Sequence, residues 1–235
     1  MPTEDIVENL AAMRRQIREA AEAAGRDPTT VRLVAVSKTV DSAQVLKAYA
    51  AGQRDFAENL VPELMRKAQG LPLDCTWHLI GHLQRNKARQ AVQGAAWIHS
   101  VDSVGLLERL ERLADEEHRR PTVLLQVNLS GEATKSGVTS EGAAALLRGA
   151  LQCPHLSCRG LMTMAPYGAS EAELRTVFGG LRRLRDRLQE ESGTALPELS
   201  MGMSGDFRVA ISEGATLVRI GTAIFGARSY PTVAG

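Results

Sequence analysis

Apolar residues recur along this chain with two periods. Short runs rich in Val, Leu and Ile alternate with stretches in which apolar residues return every three to four positions. Eight runs read as strands: VRLVAVS (31–37), DFAE (55–58), TWHLIG (76–81), WIHSVD (97–102), TVLLQVN (122–128), CRGLMTM (158–164), ELSMG (198–202) and TLVRIGTAIFG (216–226). The first is apolar at nearly every position, as a strand covered on both faces is. Between the runs lie helical patterns. SAQVLKAYAAG ends on Gly52, a C-terminal helix signal. SVGLLERLERLADEEH opens at Asp102 or Ser103, either of which suits an N-cap. SEAELRTVFGGLRRLRDRLQEES starts at Ser170 with Glu173 three residues on, a capping-box spacing.

Strand–helix alternation predicts a parallel sheet, and eight units predict its closure into a single (β/α)8 TIM barrel, class α/β. The alternative, an open doubly wound sheet, lacks the G-x-G-x-x-G that would follow its first strand. Only nine residues follow Gly226, too few for a full closing helix. An extra helical pattern at Glu4–Ala24, ahead of the first strand, is placed to cover that gap. No linker or low-complexity segment interrupts the chain, so 1–235 reads as one domain.

Composition narrows the function classes. The chain has 235 residues, a formal net charge of +1 and 44% hydrophobic residues. That balance gives bulk electrostatics no hold on nucleic acid or anionic membranes. The short charged run HRRP at His118–Pro121 reads as a solvated helix end. Cys75, Cys153 and Cys158 are odd in number and match no zinc spacing, so free thiols in a reducing compartment are expected. The acidic N-terminus lacks the basic and long apolar regions of a secretory signal. No apolar run approaches the roughly 20 residues of a membrane helix. A cytoplasmic monomer is the expectation. His78 and His82 are four apart, but outside an H-E-x-x-H helix they do not suggest a metal.

Barrel enzymes build their sites at the C-terminal strand ends. Those ends carry Lys38; Glu58 and Asn59; Gly81 and His82; Asp102; Asn128; MGMSGDF (201–207); and RIGTA (219–223). Lys38 closes an apolar strand, where partial desolvation favours the neutral amine that carbonyl chemistry needs. The bland alternative is an ion pair with Glu58. Ser204 and Gly205 stand where a helix near Asp206 begins, a position suited to an anion. Gly221 permits close backbone approach and Thr222 adds a hydroxyl. Arg219, two residues before Gly221, projects to the same strand face. A lysine for an aldehyde, a phosphate cradle and an arginine for a ring nitrogen together suit pyridoxal 5′-phosphate (PLP). A Schiff-base aldolase also explains the lysine and the phosphate loops, but not Arg219.

The segments AVSKT, FAENLVPE, WHLIGHLQRNK, HSVDS, QVNLSGEATKSG, GLMTMAP and LSMGMSGDFRVAISEGATLVRIGTAIFGAR span most of the chain. Through them the sequence resembles the PLP homeostasis proteins, single-domain relatives of the alanine racemase N-terminal barrel. The resemblance implies a fold-type III PLP barrel in which Lys38 carries PLP as a Schiff base. It implies phosphate contacts from Ser204, Gly221 and Thr222, a ring-nitrogen contact from Arg219, and pocket walls at Asn59 and His82. It further implies a protein that stores or delivers PLP, with apo PLP-dependent enzymes as partners and without robust turnover. Ala57 and Leu60 depart from the family's expected glycine and aromatic residue, which implies a missing aromatic near the pocket. Lys135 reads as a solvated loop lysine, with a transfer role as the alternative. The competing function is a PLP-dependent amino-acid racemase. That activity needs a second acid/base, such as a tyrosine from a further domain; the three tyrosines here are Tyr49, Tyr167 and Tyr230.

Overall fold

The computed structural model describes residues 5–129 and 136–226. Eight parallel strands, in sequence order, close into one barrel. They are β1 (Arg32–Val36), β2 (Asp55–Glu58), β3 (Thr76–Leu79), β4 (Trp97–Val101), β5 (Thr122–Gln126), β6 (Ser157–Met162), β7 (Glu198–Ser200) and β8 (Leu217–Ile220). Closure is made by β8 on β1, with Val34 opposite Arg219. Helices α2 (Ser42–Ala50), α3 (Val61–Gly70), α4 (Ala88–Gly94), α5 (Val104–Glu116), α6 (Ser140–Leu151), α7 (Glu171–Ser192) and α8 (Phe207–Ser212) follow β1 to β7 in turn.

The caps are where local chemistry asks for them. Ser103 accepts a hydrogen bond from Leu106 N, which settles the N-cap of α5. Ser170 and Glu173 form a full capping box at the start of α7. Side chains alternate across each strand, so one set packs beneath the helices and the other fills the barrel. The outer set forms the main core. The inner apolar set is small: Val34, Val36, Ala57, Leu124, Met162 and Leu217. Much of the remaining interior is polar, with His78, His99, Ser200 and Arg219 all buried.

The additional helix α1 (Ile6–Ala23) covers the closing edge, as its position in the chain predicts. It packs on α8 and on a short helix α9 (Thr222–Phe225). Asn9 Nδ2 donates to Ile224 O at 3.1 Å, tying the first helix to the last. The eighth apolar run is not one strand to Gly226. The strand stops at Ile220, and from Thr222 the chain turns into α9. A turn of helix and a strand both read as apolar over so few residues, and the break falls at Gly221. Among the described residues no helix is long and apolar enough to cross a membrane.

Candidate functional site

A cavity of about 750 Å³ opens at the C-terminal rim of the barrel. Lys38, Asn59, His82, Ser204, Arg219, Gly221 and Thr222 all line it. The residues singled out from sequence therefore converge on one space, although they come from five strand ends. Glu58, Asp102 and Asn128 are not part of the lining. Asp102 instead faces His82 at 3.6 Å. β5 ends at Gln126, and it is this side chain, not Asn128, that reaches the cavity, where its amide donates to Ser136 O at 2.9 Å. The strand reading ran two residues long there, because Val127 and Asn128 continue the apolar alternation past the barrel rim. Lys135 lies outside the described residues.

Lys38 stands on a tightly held turn. Glu58 is not paired with it; the carboxylate faces away from the cavity, into the shell between β2 and α3. There the fully buried Lys67 of α3 donates to Ser37 O at 2.6 Å, Glu58 Oε1 at 2.7 Å and Glu63 Oε1 at 2.9 Å. Ser37 Oγ donates to Glu58 Oε1 at 2.6 Å, and Thr39 N donates to Glu63 Oε1 at 2.9 Å. The residues on both sides of Lys38 are thus pinned to one buried ion cluster. Thr39 has φ +64°, a backbone state that β-branched residues rarely adopt. Such a state persists where surrounding contacts over-determine it. Burial raises the Glu58 carboxyl above the ordinary range, against the opposing hydrogen bonds from Lys67 and Ser37. Its second oxygen, Oε2, is buried with no partner among the described residues.

The opposite rim is built from small residues. Asp206 Oδ1 accepts from Met203 N at 2.6 Å, and Asp206 N and Phe207 N return to Met203 O. Ser204 and Gly205 form the tip of that turn, just ahead of α8. A Cβ on Gly205 would meet no atom within 4 Å, so the tip faces open space. Gly221 packs against β1: a Cβ there would lie 3.1 Å from Val36 O. A Cβ on Gly81 would lie only 2.2 Å from Asn59 O, so this glycine brings the β2 and β3 ends together beside Lys38. Burial raises the Asp206 carboxyl, opposed by the Met203 N–H.

Arg219 enters the cavity floor from inside the barrel. Nη1 donates to Ser200 Oγ at 2.6 Å and Nη2 to Thr163 O at 3.0 Å. Burial brings its guanidinium down to about 10, which leaves it cationic at neutral pH. The parity of Arg219 and Gly221 along β8 places both on the cavity side. Sequence reasoning missed the groups behind the arginine. Ser200 and His99 occupy inward positions of β7 and β4, and only strand parity hinted at them.

The set of groups fits PLP. An amine, a buried cation and two hydroxyl- or glycine-bearing turns face one cavity large enough for the cofactor. Comparisons with known proteins point the same way. Residues 9–229 match the family model described as "Alanine racemase, N-terminal domain". A pyridoxal phosphate homeostasis protein of Pseudomonas aeruginosa is 47% identical over 226 residues, covering 96% of each chain. The chain belongs to the pyridoxal phosphate homeostasis family. A second relative of that name, from Aquifex aeolicus, is 42% identical over 95% of this chain and 98% of its own. The solved structure of PipY of Synechococcus elongatus PCC7942 with PLP bound superposes with a TM-score of 0.84 at 44% identity, covering 94% of this chain and all of PipY. Family membership also frames the two departures in FAENL. Ala57 is fully buried in the barrel interior, and Leu60 is 63% exposed and outside the cavity lining, so neither change opens a hole in the pocket wall.

Proposed function

We propose that this protein binds PLP through Lys38 and holds it for release to PLP-requiring enzymes, without efficient turnover of amino acids. The observation that carries the reading is the convergence of Lys38, Arg219 and the Ser204 and Thr222 turns on one cavity. The names of the relatives and the PLP in the PipY structure support it. PLP, when bound, supplies an aldehyde for an amine and a ring that can accept electrons.

The chain's residues have distinct tasks in this reading. Lys38 provides the amine from a turn that the Lys67 cluster fixes. Ser204 and Thr222 donate hydroxyl hydrogen bonds to the phosphate. Gly221 lets the backbone approach. Arg219 donates to the ring nitrogen; a cation there disfavours protonation of that nitrogen and weakens the ring as an electron sink. Asn59 and His82 wall the pocket. Racemisation also requires positioned acid/base groups on both faces of the reacting carbon. Tyr167 lines the cavity but is fully solvent-exposed, and the Tyr49 hydroxyl is spent on Asp74 at 2.7 Å. Neither is a fixed proton donor over the cavity; Tyr230 lies outside the described residues.

The test is to incubate PLP-loaded protein with L-alanine in deuterated water and follow α-hydrogen exchange and chirality. In parallel, the loaded protein is mixed with an apo PLP-dependent enzyme. The expected result is trace exchange together with activation of the apo-enzyme. Several turnovers per second, abolished by Lys38→Ala, would overturn the storage reading in favour of catalysis.

A further inference from the structure

The barrel interior contains a line of buried polar groups that the roles above do not use. It begins at Asp55, the first residue of β2, near the N-terminal mouth. Asp55 Oδ1 is 3.0 Å from His78 Nε2. His78 Nδ1 is 2.9 Å from His99 Nε2, and His99 Nδ1 is 2.9 Å from Ser200 Oγ. Ser200 Oγ accepts from Arg219 Nη1 at 2.6 Å. His78, His99 and Ser200 have no solvent exposure, and Arg219 has 4%. The line crosses from β2 through β3, β4 and β7 to β8, and ends on the cavity floor.

Its ends fix the direction of every hydrogen in it. A guanidinium only donates and an ionised carboxylate only accepts. Ser200 Oγ accepts from Arg219, so its hydrogen turns to His99 Nδ1. A neutral His99 then carries its proton on Nε2 and donates to His78 Nδ1. His78 in turn carries its proton on Nε2 and donates to Asp55. Each imidazole presents its bare nitrogen toward the arginine and its N–H toward the carboxylate. Burial keeps both rings in the neutral form this order needs. At the Asp55 end, Arg32 stands 3.7 Å from Asp55 and 3.8 Å from Glu198.

We infer that Ser200, His99, His78 and Asp55 are positioning residues for Arg219: an oriented hydrogen-bond chain that holds the guanidinium at the cofactor's ring nitrogen and relays to it the negative end of a distant carboxylate. Among the described residues Arg219 has no direct carboxylate partner; Asp206 acts on it only through space. An arginine held by a single carbonyl, Thr163 O, retains freedom about its long side chain. A second bond through Ser200, itself fixed by the histidine pair, removes that freedom. The inference rests on the proposed contact between Arg219 and the ring nitrogen.

The experiment compares binding of PLP with binding of its 1-deaza analogue, in which the ring nitrogen is replaced by C–H. The proteins are the wild type, Ser200→Ala, His99→Gln, Asp55→Asn and Arg219→Lys. If the chain positions Arg219, Ser200→Ala and His99→Gln weaken PLP by about fivefold, the value of one ordinary hydrogen bond. The deaza analogue loses less than about twofold, because it has nothing for the arginine to meet. Asp55→Asn shifts PLP in the same direction by a smaller factor. A purely structural role lowers both ligands equally. If Arg219→Lys discriminates between the ligands but Ser200→Ala and His99→Gln do not, the chain is overturned and the ring-nitrogen contact stands. If Arg219→Lys does not discriminate, the ring-nitrogen contact fails and the inference fails with it. A second measurement needs no variant. Nitrogen-15 NMR of the histidine rings in ligand-free protein at pH 7.5 is expected to show both His78 and His99 neutral with the proton on Nε2. An Nδ1–H tautomer or an imidazolium at either position contradicts the chain.

Discussion

The two sides of the cavity are built by opposite means. At the end of β1, Lys38 is held by charge: Lys67, Glu58 and Glu63 form a buried cluster behind the turn and grip the residues before and after the lysine. At the ends of β7 and β8 the cavity wall includes Ser204, Gly205, Gly221 and Thr222, small residues set beside Met203 and Asp206. The difference follows from what each side has to hold. A nucleophilic amine on a flexible stem needs a fixed origin. An anion needs several short donors and room to approach them. One side therefore places its cost in desolvated charge, and the other in small residues.

The largest expected effect breaks the charged side. Lys67→Met leaves Glu58 buried without its cation and Ser37 O without its donor. Removing one partner of a buried pair typically costs about 3–5 kcal/mol. Urea denaturation is expected to show a loss of that size, and the double variant Glu58→Leu/Lys67→Met to regain most of it. A loss below about 1 kcal/mol for Lys67→Met would mean that the cluster does not hold the turn.

The second prediction tests the small-residue side. Ser204→Ala or Thr222→Ala removes one charge-assisted bond to the phosphate, worth about 1.5–3 kcal/mol. PLP affinity is expected to fall by roughly tenfold or more, with little change for pyridoxal, which lacks the phosphate. Equal losses for both ligands would remove the cradle from the account. Unlike Lys67→Met, neither change should alter stability appreciably, because the turn is closed by Asp206 and Met203.

How much of this was visible beforehand differs between the same two sides. The barrel follows from eight apolar runs with helical patterns between them, and the pairing of Arg219 with Gly221 follows from strand parity. Ser204 and Thr222 announce themselves because glycines and hydroxyls stand beside them in the chain. The charged side is silent in sequence. Lys67 sits next to Arg66 in an ordinary amphipathic helix pattern, and its partners Ser37 and Glu58 are on other elements. Glu58 was equally plausible as a partner for Lys38; once Ala57 faces the barrel interior, alternation along β2 turns Glu58 outward to Lys67 of α3. His78 and His99 were hidden for the same reason. A polar residue at an inward strand position looks like any alternating residue until the barrel closes around it. The eighth run shows the limit of periodicity over a few residues, where a strand and one turn of helix carry the same apolar letters.

A third, smaller effect concerns that polar interior. Burial lowers the pKa of His78 and depresses that of His99 further. The unfolded chain therefore binds protons on both residues below about pH 6.5, before the folded protein does. Stability then falls as pH drops below that value, by up to about 1.4 kcal/mol per pH unit for each histidine. Glu58 and Asp206, both raised by burial, act in the opposite direction, Asp206 mainly at the acid end. Between pH 7 and 5.5 the two histidines set the direction, a net loss of stability as pH falls. Urea midpoints at pH 7 and 5.5 check the sign; an increase in stability at the lower pH would show that the histidines are not buried neutral.

The central claim is that Lys38 carries the cofactor, and borohydride trapping tests it most directly. PLP-loaded protein is reduced, digested and mapped by mass spectrometry, alongside Lys38→Ala. The account predicts a visible absorption band that borohydride removes, with the pyridoxyl group fixed on the peptide containing Lys38 and none fixed in the variant. A reducible band of unchanged yield in Lys38→Ala, with the label on another lysine, would contradict it.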